Sequence, residues 1–229
     1  MFRFAVASDV VEVNPVSGVP RPGVERQRDR VLTEAEIRHL WAALEPFPEA
    51  MAAGFKLRLL TAQRGGEVFD MRWADLDMAG GWWTIPGDRA KNGLPHRVPL
   101  TAPVLTTLMG LRRKADQPGK SKQAVAAPVY VLAGARGKRQ RSEASQTLGI
   151  PNFVGHDLRR TAASYMASAG VSRLVISKIL NHVERGVTAV YDRHSYDAEK
   201  RTALETWART LNEILQNSSV TVVPIGQRR

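Results

Sequence analysis

Several short stretches of this 229-residue chain set charged or nucleophilic side chains at spacings suited to phosphate chemistry. In "HDLRRT", His156 and Arg159 stand three residues apart, on one face of a helix and in its first turn. Backbone N–H groups and the helix dipole already favour an anion there, and both side chains can add hydrogen bonds to it. Arg64 follows "LTAQ" at the bend marked by Gly65 and Gly66, Lys91 sits in "AKNG", and His182 closes "ILNH". Each has a plainer alternative when taken alone: a surface arginine, a solvated hairpin lysine, a histidine capping a helix start or a helix end. "GVTAVYDRHSYDAEKR" carries Tyr191 and Tyr196, five positions apart, and local composition does not choose between them as a nucleophile. If the target is a phosphodiester, two guanidiniums would neutralise the charge that builds on its oxygens, because each offers a planar, permanently charged fork of donors. A tyrosine hydroxyl, with a reference pKa of about 10, would then need a base or a strongly positive site to attack at neutral pH.

The charge balance agrees with an anionic partner. The chain has 33 Lys and Arg against 22 Asp and Glu, a formal charge of +11, which favours nucleic acid first and an anionic membrane surface second. The excess is concentrated between residues 112 and 141. Arg112, Arg113, Lys114, Lys120, Lys122, Arg136, Lys138, Arg139 and Arg141 there face one acid, Asp116. A hydrophobic content of 43% excludes a disordered chain, and no apolar run approaches a membrane span. Asp9 interrupts the N-terminus before a signal-peptide core could form, and the absence of cysteine removes disulfide and thiol chemistry; a cytoplasmic, nucleoid-associated location is expected. The five histidines include no H-x-x-x-H pair and no grouped acids, so no metal site and no cofactor is expected.

The elements that would position these residues can be read along the chain. Thr33 and Glu36 form a capping box for a helix carrying Ile37, Leu40, Trp41 and Leu44 at helical spacing, closed by Pro46 and Pro48. A second helix is expected over about 49–61, after which Gly65-Gly66 breaks or bends the chain before a short helical piece through Met71. "WWTIP" and "HRVPL" read as strands on either side of a Lys-Asn-Gly turn, which puts Lys91 in or beside a hairpin. Pro103 opens a helix to about Lys114, the basic segment follows, interrupted by "VYVLA", and helices are predicted over about 156–169, 172–181 and 197–216.

Taken together, "LTAQRGGEVFDMRWADLD", "KNGLPHRVPL", "GHDLRRTAASYMASAG", "LNHVERGVTAVY" and "EKRTALETW" resemble, in order and approximate spacing, the catalytic domain of the tyrosine recombinases, phage and genomic-island integrases above all. The resemblance covers about residues 30–216. It implies an α+β fold, mainly α with a small antiparallel sheet, and a metal- and ATP-independent DNA strand transfer through a 3′-phosphotyrosyl intermediate. It further implies Arg64 and Arg159 as the phosphate-holding arginines, His156 as base, Lys91 as acid for the 5′-oxygen, His182 as a phosphate ligand and Glu67 as support for Arg64. The family spacing from second histidine to nucleophile selects Tyr191. Independently, Tyr196 lies in register with the stripe of Ala203, Leu204, Trp207, Leu211, Ile214 and Leu215, so packing at the start of the last helix is its expected role. Ala62 and Asn181 stand where the family commonly has glycine.

By the same resemblance, residues 1–30 are expected to be the end of a core-binding domain and its linker, 31–216 the catalytic domain, and 217–229 a tail whose "VTVVPI" packs on a neighbouring copy. The implied partners are double-stranded DNA attachment sites, a homotetramer on DNA built from protomers that are monomeric when free, and an excisionase or a host DNA-bending protein. Arg112, Arg113, Lys138, Arg139 and Arg141 are expected to contact the DNA backbone. The competing assignments are a type IB topoisomerase-like swivelase, which shares the chemistry, and a non-catalytic DNA-binding module of the same fold.

Overall fold

The computed structural model describes residues 2–20, 23, 28–115, 129–135, 137–182 and 194–217, with 114 and 115 described by backbone alone. Its elements are α1 (Phe2–Ala7), α2 (Glu34–Ala43), α3 (Glu49–Thr61), α4 (Gly65–Phe69), β1 (Leu76–Asp77), β2 (Trp82–Ile85), β3 (His96–Pro99), α5 (Ala102–Ala115), α6 (Lys138–Thr147), α7 (Asp157–Ser168), α8 (Arg173–Ile179) and α9 (Asp197–Gln216). The fold is mainly helical with one antiparallel sheet in the order β1-β2-β3. No helix among the described residues is long and apolar enough to cross a membrane.

Local chemistry explains the element ends. The Thr33 side chain accepts the Glu36 N–H at 3.3 Å and Glu36 accepts the Thr33 N–H at 2.9 Å, closing the capping box of α2. A cap of this kind stabilises a helix by about 1 kcal/mol. α3 is buried on nearly every side, through Met51, Phe55, Leu57, Leu59 and Leu60, so it forms the centre of the core. α5 and α7 pack on it, and from α9 the Trp207 indole N–H donates to the Leu59 carbonyl at 2.8 Å. Gly54 lets α4 come close: a β-carbon there would lie 2.3 Å from Cε1 of Phe69.

The sheet presents its buried face through the pairs Trp83–Val98 and Ile85–His96. On the other face the ring of Trp82 lies between the guanidiniums of Arg97 and Arg201, 4.1 and 4.5 Å from its centroid. Arg201 also donates to the carbonyls of Gly80 and Gly81, each at 3.2 Å, which ties α9 to the turn before β2.

One sequence expectation needs correction, and two elements had no sequence signal. Gly65 and Gly66 open α4 rather than interrupt the chain; the turn lies upstream, at Ala62–Arg64. α6 was not expected, because "KRQRSEASQT" has no apolar periodicity and buries only the small side chains of Ala144 and Ser145. β1 is two residues long, too short to leave a pattern. "VYVLA" forms a turn that lays Val131 and Leu132 into the core while Tyr130 bridges to Arg72.

Candidate active site

Two helix exits meet at the site, and both leave their helix through a left-handed residue. α3 ends at Ala62 with φ 56°. α8 is followed by Asn181 with φ 47°, where the Asn181 N–H donates to the Lys178 carbonyl at 3.1 Å and the His182 N–H to Ser177 at 3.1 Å. That pair of bonds is a Schellman closure, whose left-handed position favours glycine and next asparagine. The positions where the family resemblance leads one to expect glycine are therefore the ones that need a positive φ. Asn181 is suited to it, whereas Ala62 adopts it at a cost of roughly 1 kcal/mol.

The exit from α3 sets Arg64 as the cap of α4. Its N–H donates to one oxygen of the buried Glu67 carboxylate at 3.1 Å and its Nη1 to the other at 3.0 Å. Both Glu67 oxygens are thereby committed to one residue, which fixes the direction of the guanidinium. Arg159, on the first turn of α7, is 4% exposed and bridges the two exits: it donates to the Ala62 carbonyl at 2.8 Å and to the Leu180 carbonyl. Burial, and then the nearby charge of Arg64, pull its pKa down to about 10, so it remains charged at neutral pH.

The carbonyls at the end of α8 lack helical partners, and side chains from several elements supply them. Gln63 donates to the Ile179 carbonyl at 2.9 Å, and His96 of β3 reaches the same oxygen at 3.0 Å. Asn92, next to Lys91 in the hairpin, donates to the carbonyl and the side-chain oxygen of Asn181, at 3.2 and 2.9 Å. His182 follows directly and is exposed. Burial, then Arg159 and Arg64, push its pKa below the usual histidine value.

His156 caps α7 and is also exposed. Its position depends on Asp157, which is fully buried and accepts from Arg28 Nε at 2.9 Å, from the Val154 N–H at 2.9 Å and from Arg160 at 3.0 Å. Burial pushes the Asp157 carboxyl up, but these donors outweigh it and hold it below the ordinary range. Burial, then Arg160, Arg159 and Arg58, lower the pKa of His156, so it is neutral at neutral pH and able to take a proton.

Lys91 is exposed in the β2–β3 connection and shares a cavity of about 370 Å³ with Arg64, Glu67 and Trp83. Of the basic residues expected on DNA, Lys138 and Arg141 border a second cavity beside His156. Arg139 is an exposed partner of Glu143 at 2.7 Å, the Arg112 guanidinium lies 5.1 Å from the centroid of Trp73, and Arg113 is exposed. Tyr191 lies outside the described residues, as do Lys120, Lys122, Arg136 and the tail from 218 onward. Tyr196 is half-buried, its ring edge-on to His194 at 4.6 Å and 4.8 Å from Nζ of Lys178, so it packs at the start of α9 through these neighbours.

The sequence matches the phage integrase family over residues 30–198, a span that holds each of the site residues. The chain belongs to this family. A prophage integrase of Escherichia coli K12 is 25% identical over 238 residues, covering 98% of this chain and 56% of its own length. Among solved structures, the integrase of mycobacterium phage Brujita superposes with a TM-score of 0.59 at 18% identity, over 93% of this chain and 72% of that one. A lambda integrase tetramer bound to a Holliday junction gives 0.55 at 22% identity, over 86% and 56%. The chain thus spans little more than half of the prophage and lambda integrases.

Within this site, sequence reasoning missed the residues that hold the end of α8, and with it the His182 segment, in place. Gln63, Asn92 and His96 act on the end of α8 from three separate places in the chain. The only sequence signal for them was proximity to Arg64, Lys91 and the second strand. Arg58, buried beside His156, was also missed; its signal was a charge set between the leucines of "LRLL".

Proposed function

We propose that this chain carries the catalytic domain of a site-specific DNA recombinase, an integrase that cuts and rejoins double-stranded DNA through a 3′-phosphotyrosyl intermediate. The observation that carries the proposal is the proximity of Arg64, Arg159 and His182, with Arg64 held by Glu67 and Arg159 by backbone carbonyls at two helix ends. Family membership supports the same chemistry. The Tyr191 oxygen attacks the scissile phosphorus as His156 takes its proton, and the bond from phosphorus to the 5′-oxygen breaks as Lys91 protonates the leaving oxygen. Arg64, Arg159 and His182 stabilise the charge on the non-bridging oxygens, and the retained phosphotyrosyl bond allows a second 5′-hydroxyl to rejoin the strand without ATP. Attachment-site duplexes as substrate, a tetramer on DNA and monomers off it, docking of residues 217–229 on a neighbour, and accessory DNA-bending or excision factors belong to the same proposal. In the same proposal, residues 1–30 are the end of a core-binding domain and its linker.

The test is a nicked duplex carrying the core site recovered from the junctions of the native element. Wild-type protein should form a covalent adduct on a denaturing gel, Tyr191→Phe should form none, and Tyr196→Phe should retain it with lower thermal stability. An adduct that survives Tyr191→Phe and vanishes with Tyr196→Phe reverses the nucleophile assignment.

A further inference from the structure

Beside the cavity of Arg64 and Lys91 lies a second, of about 480 Å³, and the two share Gly66 as a common wall. Arg58 reaches into it from the centre of α3. The residue is 9% exposed, its Nε is fully buried, and that atom has no hydrogen-bond partner among the described residues. The guanidinium is set between two glycines: a β-carbon on Gly155 would lie 2.2 Å from Nη1, and one on Gly65 would lie 3.0 Å from Cζ. Two chain segments have given up side chains to make room for it.

A buried arginine normally brings its own carboxylate, because an uncompensated charge in the interior is strongly unfavourable. Asp157, the acid that acts on Arg58, already accepts from Arg28, Arg160 and the Val154 N–H. Arg141 stands close enough to repel Arg58, and Lys138 and His156 line the same cavity. Four basic groups therefore face one hollow whose neighbouring acid is taken.

We infer that this hollow is a second phosphate subsite, which holds a DNA backbone phosphodiester next to the one that is cut, with Arg58 as its buried anchor. This builds on the proposed DNA strand transfer, and it explains why the pocket adjoins the Arg64 cavity and is much roomier than a free phosphate ion needs. It also gives Arg58 a positioning role: by fixing the neighbouring phosphate, it registers the scissile one against Arg64 and Arg159.

The test uses the full chain with a random-sequence duplex of roughly 30 base pairs, followed by fluorescence anisotropy over a range of KCl concentrations. Arg58→Met should weaken binding about tenfold at fixed salt and reduce the slope of log Kd against log salt by about 1, while Arg58→Lys keeps most of the slope. Without DNA, Arg58→Met should melt about 2–4 °C higher, since a packed apolar side chain replaces an unpaired charge. A lower melting temperature with an unchanged salt slope makes Arg58 structural and overturns the subsite. Stronger thermal stabilisation by millimolar inorganic phosphate than by the duplex assigns the pocket to a free phosphate and overturns the DNA assignment. Failure of wild-type protein to bind the duplex at all overturns the strand-transfer proposal itself, an outcome distinct from wild-type binding that Arg58→Met leaves intact.

Discussion

Arg159 and Arg58 are both buried arginines near His156, both brought down to about 10 chiefly by burial, yet their surroundings are opposite. Arg159 is occupied by the protein: its fork donates to the Ala62 and Leu180 carbonyls and fastens two helix exits together. Arg58 has a cradle of glycines and no acceptor for its Nε among the described residues. The contrast separates two ways of using a buried cation. One holds the shape of a site before substrate arrives, and the other is completed by substrate. Stability measurements can tell them apart, since the first kind should cost the fold when altered and the second should not.

The largest effect should come from acid, acting on the Arg159 side. His96 helps close the end of α8, and burial, followed by the charge of Lys200, lowers its pKa from 6.5 to about 4. The unfolded chain therefore binds a proton that the folded chain refuses. The stabilising contribution of neutral His96 is complete above pH 6.5 and is lost as pH falls toward 4, by about 3 kcal/mol. Chemical denaturation across that window should show the loss in wild type and a much flatter profile in His96→Gln. Equal flattening in an Arg58 variant would dissolve the distinction between the two sides.

Arg159→Lys comes next. Lysine keeps the charge but cannot span both carbonyls, so the unfolding free energy should fall by about 2 kcal/mol in urea titrations, and adduct formation should fall with it. Arg58→Lys should change stability by less than half as much. The smallest effect concerns the left-handed exits. Ala62→Gly should stabilise by about 1 kcal/mol, by relieving the positive φ. Asn181→Gly should gain less, or lose, because glycine gives up the two side-chain hydrogen bonds with Asn92 and keeps only the one to the backbone carbonyl. Matched melting curves of the two variants would show the difference.

The same contrast explains what could be read from the sequence. The capping box at Thr33 and Glu36, the buried run of α3, the hairpin around Lys91 and the stripe of α9 were legible because each depends on neighbours within a turn or two. Arg64, His156, Arg159 and His182 were singled out by their motifs, and the structure brings them near one another. Their fastening was not. Gln63 and His96 share one carbonyl of Ile179 although 33 positions separate them in the chain, and no local pattern encodes such a meeting. α6 was hidden because it packs through Ala144 and Ser145 rather than through large apolar side chains. Arg58 broke an apolar run without announcing whether a partner waited for it.

The amide pair Asn92–Asn181 sits between the hairpin that carries Lys91 and the helix end that carries His182. Its consequence is kinetic. The hairpin of Lys91 and the helix end of His182, to which the proposed mechanism assigns the proton donor and a phosphate ligand, are latched to each other, so neither can travel far while the latch is closed. Opening the hairpin and releasing His182 become one event with one rate constant. A spectroscopic reporter on the hairpin and another near residue 182 should relax together in the wild-type protein, and in Asn92→Ala they should separate into two phases.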